Sequence, residues 1–326
     1  MQPDKRPSRR LNNRDRKNRK PFVLFAIALT AALGWAGFLR FGLPWLLPEL
    51  PPVSAEVVEN PSAADAPTAE PAYQTYNLDS ATVHVVTIPA ATRLSIAVAD
   101  ELTTVEDFAQ TENASVVLNG GFFDPNNGKT TSHLIRQGQN AGDPAENERL
   151  VDNPDLSQYM EQILNRSEFR RYECQITGHI ADPKYEITLH DTPVPDGCSL
   201  YSALGAGPQL LPEDTSFEEG FTDYVEGKLI RDAIGSQGPN ARSAIALTAD
   251  NTILLIMVAQ RPDAPGLTLS EVSEFATSLG AVKLLNLDGG SSSALHYDGQ
   301  TYLGRLDAAG NPIERPVKSV IVVEQE

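Results

Sequence analysis

The sequence predicts an α+β protein: one large, strand-rich mixed domain with few helices, preceded by one N-terminal transmembrane helix and a Pro/Ala-rich linker. Three observations lead there. Residues 22–39 are apolar and uncharged and follow a basic block. Eight short runs rich in β-branched residues, each bounded by turn residues, recur between residues 82 and 323. Only three stretches in the same region read as helices.

From the N-terminus, residues 1–21 form a basic tail, in which positions 1–20 hold nine of the 26 Lys and Arg side chains against two acids. The segment FVLFAIALTAALGWAGFL at 22–39 lies at the lower end of the roughly 17–25 residues needed to cross a hydrocarbon core. A single span over 22–40, with the basic tail cytoplasmic, places the rest of the chain in the periplasm or at the cell surface. A cleaved signal peptide is the rival reading. It needs small residues at a cleavage site after the apolar run, and 40–47 is bulky, so an uncleaved signal-anchor is preferred. Residues 41–72 read as a semi-extended linker, because six Pro and six Ala fall within 48–72 without apolar periodicity.

The folded domain is expected over 73–326. Its strands are predicted at 82–88, 94–99, 114–118, 185–190, 243–247, 252–258, 282–287 and 317–323. Thr104 is expected to cap a helix through about Gln110, Asp155 one through about Phe169, and Ser270 one ending at Gly280. A helix at 271–279 between strands 252–258 and 282–287 makes a βαβ crossover, and Ala249-Asp250-Asn251 is short enough for a hairpin turn. The polar, acidic stretch at about 136–200 reads as an insertion on the main domain. It contains both cysteines, Cys174 and Cys198, which are expected to form a disulfide in an exported domain, two buried thiols being the alternative.

The net charge is −17, and from residue 41 onward 16 basic side chains face 41 acidic ones. Such a body is repelled by nucleic-acid phosphate, which excludes nucleic acid as a partner. The sequence contains no GxSxG elbow, no HExxH and no GxxxxGK[ST] loop. The five histidines, His84, His133, His179, His190 and His296, form no short ligand pair. His84 reads as structural, and His133, downstream of a Gly-rich turn, as a minor candidate for a cleft.

Chemistry is expected at two Gly-rich turns that follow strands. In the first, Asn119-Gly120-Gly121-Phe122-Phe123-Asp124, the glycines permit close backbone approach to a ligand, Asn119 would aim its amide into a cleft, and Phe122 and Phe123 would wall it or stack on a sugar. A tight turn with two core aromatics is the competing reading. In the second, Asp288-Gly289-Gly290-Ser291-Ser292-Ser293, a carboxylate ends a strand beside backbone N–H donors and hydroxyls, making Asp288 the leading catalytic residue; an Asp-Gly turn that caps its own backbone is the alternative. Between them lie Gly205-Ala206-Gly207-Pro208 and Asn240-Ala241-Arg242-Ser243. Arg242 enters a strand in an acidic body and suits bidentate phosphate binding, with a structural ion pair as the alternative.

Taken in order, NGGFFD at 119–124, GAGPQLL at 205–211, NARSAIAL at 240–247 and GLTLSEVSEFATSLGAVKLLNLDGGSSSAL at 266–295 resemble the phosphodiester glycosidase family. Its best-known member removes N-acetylglucosamine to uncover mannose 6-phosphate. The resemblance covers most of 75–325 and implies an α+β fold and hydrolysis of a sugar-1-phosphate diester. Asn119, Gly120 and Gly121 match its first motif, Arg242 its arginine motif, and Asp288, Gly289, Gly290 and Ser292 its last. Two positions depart from it: Ala241 stands where the family often has proline, and Ser291 where it often has glycine.

Glycoside hydrolysis ordinarily uses two carboxyls, but a departing phosphate is already a stable anion, so a cation can replace the general acid. The expected catalytic set is therefore Asp288, Arg242 and Asn119. Gly120, Gly121, Phe123, Asp124, Gly207, Gly289, Gly290, Ser291 and Ser292 are expected to line the substrate site, with Asp124 as reserve carboxylate. No cofactor is assigned; a divalent cation held by Asp288 and Asp124 is a further expectation, since both are hard oxygen ligands. The expected partners are a carbohydrate or sugar-phosphate substrate and, through 22–40, the membrane. The competing class is a non-catalytic envelope module that binds glycan.

Overall fold

The computed structural model describes residues 56–57, 70–176, 179–180 and 183–324. The tail at 1–21, the expected span at 22–40 and most of the linker lie outside these residues. Among the described residues no helix is long and apolar enough to cross a membrane.

Strand Ile253–Ala259 shows how the domain is layered. Its side chains alternate between two hydrophobic cores, Ile253, Leu255 and Met257 entering one and Leu254, Ile256 and Val258 the other. Both faces are covered, so the strand reads as an unbroken apolar run rather than an alternating one. It lies within a seven-stranded antiparallel sheet ordered Glu56–Val57, Ala72–Asn77, Thr82–Ile88, Ile253–Ala259, Arg242–Thr248, Ala281–Asn286 and Gln209–Leu211. A five-stranded sheet, ordered Gln300–Leu303, Ala294–Tyr297, Val116–Asn119, Val317–Val323 and Leu94–Thr103, packs against it across the central core.

Each sheet carries one helix on its outer face. Helix Leu269–Ser278 lays Leu269, Val272 and Ala276 on the seven-stranded sheet. Helix Val105–Thr111 lays Phe108 and Ala109 on Val117, Val320 and Val322 of the other. The first helix starts at Thr268 rather than Ser270, because Thr268 and Glu271 form a reciprocal capping box. Thr104 caps the second through the Asp107 N–H, as the sequence predicts.

Six of the eight predicted strands begin and end within one residue of expectation; Val116–Asn119 starts two residues late, and Leu94–Thr103 runs four residues further. The hairpin at 249–251 is present, with Asn251 at φ 65°. Strands Ile253–Ala259 and Ala281–Asn286 are parallel, but Arg242–Thr248 lies between them and pairs antiparallel with both, so the crossover spans one intervening strand.

The expected helix from Asp155 to Phe169 is a correction. A 3-10 turn at Pro154–Tyr159 and a short helix at Met160–Leu164 end before Phe169, which lies on strand Ser167–Ile176. On that strand Arg170 is buried and paired with Glu168, and Arg171 with Glu324, within a third sheet. That sheet is built from Lys184–Leu189, Ser167–Ile176, Cys198–Gly205, Leu134–Arg136 and Gln139–Gly142, with His179–Ile180 beside Ser167–Ile176. The stretch expected as an insertion thus forms a sheet of its own, whose Phe169, Tyr185, Ile187 and Leu204 complete the central core.

Cys174 and Cys198 are bonded as expected, and they are direct cross-strand neighbours. The bond closes a loop across a sequence separation of 24, for which chain-entropy reasoning gives about 3 kcal/mol. Replacing both cysteines by serine is expected to lower the urea midpoint by a corresponding amount, and an unchanged midpoint would contradict it.

Candidate active site

The two Gly-rich turns meet where the two main sheets converge. Strand Ala281–Asn286 ends in Leu287 and Asp288, and strand Val116–Asn119 of the opposite sheet ends beside them. Asn119 joins the two: its Nδ2 donates to the Asp288 carbonyl at 2.7 Å, and its Oδ1 accepts from Ser243 Oγ at 2.6 Å and the Ala294 N–H at 3.1 Å. Further backbone bonds fix the loop, from the Asp288 N–H to Gly120 O, Leu287 N–H to Ser243 O and Gly290 N–H to Ala241 O. Gly290 holds φ at 63°, which glycine adopts without strain.

Asp288 lies deep in the protein yet keeps part of its surface open to solvent. Burial pushes its carboxyl up to about 6, against the opposing pull of the Ser292 hydroxyl, the Arg315 charge and the Gly289 N–H. Ser292 is fully buried and its Oγ makes no complete hydrogen bond; it faces Asp288 and stabilises the ionised form without being spoken for elsewhere. The cation beside this carboxylate is Arg315. Half-buried, it donates to Ser291 Oγ at 3.2 Å and lies over the Phe123 ring at 4.9 Å. Arg305 approaches the other side of the loop, donating to Asn240 Oδ1 at 3.2 Å, and a Cβ on Gly290 would come within 3.4 Å of its guanidinium.

Several sequence-derived roles change. Arg242 is 2 % exposed and its guanidinium is saturated: Nε donates to Leu267 O, Nη1 to Ile234 O, and Nη2 to Gly235 O and Gly238 O. Four of its five N–H groups hold backbone carbonyls, so it organises a loop and has no bidentate face for a phosphate. Asn119 is likewise a buried brace whose amide points at protein. Gly120 and Gly121 allow close packing: a Cβ would lie 2.7 Å from Ser319 O and 2.1 Å from Gly205 O respectively. Gly207 (φ 110°) makes room for Glu219, to which a Cβ would come within 2.4 Å, and clasps Asn286 through two backbone-linked bonds. Gly289 packs over Ala241 O and Arg242.

Phe123 is 8 % exposed within the outer core of the five-stranded sheet, so the ring supports Arg315 rather than stacking on a sugar. Phe122 is half-buried against Phe221 at 5.7 Å between ring centroids. Asp124 is committed to its own turn. Although burial opposes ionisation, bonds from Asn126 and Arg149 hold its carboxyl below the usual range, and its Oδ2 meets Arg149 Nε at 2.7 Å. It does not join Asp288. Among the described residues no three His, Cys, Asp or Glu side chains converge to hold a metal ion.

His84 is structural as expected, bonded to the Tyr73 hydroxyl at 2.6 Å and pushed down to about 4 by burial. His133 stacks on His190 at 3.5 Å between ring centroids and bonds to Leu164 O. The residues the sequence did not single out are Arg315 and Arg305. Their only signal was scarcity, since cations are few in so acidic a body.

The role of Arg242 gives a direct prediction. Lysine at 242 presents one ammonium to four carbonyls, of which that of Leu267 is buried and the others are partly exposed. Arg242→Lys is therefore expected to lower stability by about 1–3 kcal/mol in urea titration; a wild-type midpoint would return the residue to a role in ligand binding.

The family described as phosphodiester glycosidase matches residues 112–324, more than half of the chain. Two solved structures share the fold. One is the catalytic domain of zebrafish N-acetylglucosamine-1-phosphodiester alpha-N-acetylglucosaminidase, auto-inhibited by its pro-peptide: 16 % identical, TM-score 0.55, over 81 % of this chain and 86 % of that one. The other is a hypothetical protein from Synechocystis: 18 % identical, TM-score 0.52, over 79 % of this chain. The chain spans 64 % of the Synechocystis protein's length. No protein of curated function matches.

Proposed function

The chain belongs to the phosphodiester glycosidase family, hydrolases acting on glycosyl bonds, and from that premise we propose that it cleaves a sugar-1-phosphate diester between the anomeric carbon and the phosphate oxygen. One observation carries the reading. The charged side chain that acts on the Asp288 carboxyl is Arg315, a cation. A glycosidase with an ordinary alcohol leaving group needs a second carboxyl as acid. A leaving phosphate needs a cation instead.

In this mechanism ionised Asp288 either activates water or attacks the anomeric carbon itself. The carbon–oxygen bond breaks, its electron pair stays on the phosphate, and Arg315 compensates the added charge, with Arg305 on the opposite rim. Water supplies the hydroxyl at the anomeric carbon and its proton leaves through Asp288. Asn119 and Arg242 act at one remove, by holding the loop that carries Asp288. The substrate class proposed is a cell-envelope or exported glycan.

The proposal also anchors the enzyme in a membrane through 22–40, with the domain outside the cytoplasm. The basic tail and apolar segment support it, and the Cys174–Cys198 bond suits an oxidising compartment.

The test is turnover of a panel of sugar-1-phosphate diesters by the full chain, with Asp288→Asn alongside and with chelator present or absent. Phosphate monoester and free sugar released by the parent and not by the variant support the proposal. Glycan binding without turnover of any diester would replace it with the binding-module reading.

A further inference from the structure

Beyond the recess at Asp288 lies a second feature that no step of the hydrolysis uses. Phe217 is 51 % exposed and Tyr224 43 %, and both line an open groove of about 380 Å³. It is also lined by Leu269 and by polar residues, among them Asp214, Ser236, Gln237 and Ser270. The exposed Gln237 amide makes no hydrogen bond within the protein, whereas Ser236 and Asp214 help fold their own turns.

We propose that this groove is a glycan-binding subsite, in which Phe217 and Tyr224 stack on the apolar faces of neutral sugar residues and Gln237 bonds their hydroxyls. Exposed rings beside unsatisfied amide and hydroxyl groups match a ligand whose faces are apolar and whose rim is polar. A protein partner would be expected to cover the apolar residues alone; here the two exposed rings are interspersed with hydroxyl, amide and carboxylate side chains. Asp214 and the acidic body disfavour phosphate in this place, so the occupant is the uncharged part of a glycan.

The groove is mechanically joined to the catalytic loop. Ser236 and Gln237 sit on the loop whose carbonyls at Gly235 and Gly238 hold the Arg242 guanidinium. The other end of that side chain packs under Gly289, where a Cβ would lie 3.8 Å from both Arg242 Cα and Cδ. Arg242 therefore spans the distance from the groove loop to the turn bearing Asp288.

The experiment uses the full chain and three neutral probes that contain no phosphodiester: maltohexaose, cellohexaose and chitohexaose. Binding is read by isothermal titration, so the outcome does not depend on whether the catalytic proposal holds. Binding of at least one hexaose is expected, weakened about tenfold or more by Phe217→Ala and by Tyr224→Ala and kept in Tyr224→Phe, with melting temperatures unchanged. Val282→Ala, exposed on another strand, serves as the control that leaves binding intact. The proposal is overturned if no hexaose binds the parent, or if both alanine variants bind as the parent does. Association of the parent with phosphatidylglycerol vesicles that both variants lose, without hexaose binding, would reassign the patch to a membrane surface.

Discussion

Asp288→Asn is expected to abolish turnover while leaving a chain that is more stable than the parent above pH 6. The first half follows from chemistry, because an amide can neither take a proton from water nor attack carbon. Positioned acid–base groups contribute roughly 10²–10⁴-fold, so activity should fall by at least about 10²-fold. The second half follows from linkage. The carboxyl titrates at about 6 in the fold against 3.8 in its ordinary state, raised by burial. Below pH 3.8 it is protonated in both states and costs nothing. As pH rises from 3.8 to about 6 the unfolded chain is ionised while the folded one is still largely protonated, so stability is lost across that interval and stays lost above it. The shift corresponds to about 3 kcal/mol at most, and solvent access to the carboxyl reduces it.

Asparagine is neutral at every pH and escapes this loss. Thermal melts of parent and variant should lie closest below pH 4, separate between pH 4 and 6 and stay separated above, with the variant higher. The parent's kcat/KM should rise with pH through a limb near 6, since the reactive form is the carboxylate. A variant that is both inactive and less stable at pH 7 would mean that Asp288 holds the turn together and does no chemistry. A rate that falls rather than rises through that limb would make Asp288 the proton donor instead.

What could be read from the sequence divides along a physical line. The strands and two of the helices were legible because their signals are local: Thr104 caps through its own side chain, and 253–259 is continuously apolar because both faces are covered. The place of Asp288, just past a strand end and before two glycines, was legible for the same reason. Roles that depend on what a side chain meets across the fold were not legible. Arg242 looks from sequence like a phosphate-binding cation, yet its partners are carbonyls at 234, 235, 238 and 267. Phe169 was expected at the end of a helix and lies instead on a strand, beside the buried Arg170 and Arg171. A guanidinium's local sequence says what it can donate to and nothing about whether its donors are already taken.

The same distinction carries the second large prediction, at Arg315. This residue keeps donors free beyond its bond to Ser291, stands in the field of Asp288 and lies at the open side of the loop. Arg315→Ala is expected to lower kcat/KM on a sugar-1-phosphate diester by about 10²–10³-fold, the range for removing one group that stabilises developing negative charge. Two further readouts separate phosphate binding from mere support. Losing the arginine removes a charge that favours the carboxylate, so the pH limb near 6 should move upward. A glycoside of the same sugar with a neutral leaving group brings no phosphate to grip, so the variant should lose far less on it. Arg315→Lys keeps the charge but not the fork, and should recover part of the diester activity without restoring it. If the alanine variant loses equally on both substrates and its pH limb stays in place, Arg315 shapes the loop through Ser291 and Phe123, and the phosphate must be held by Arg305 on the opposite rim.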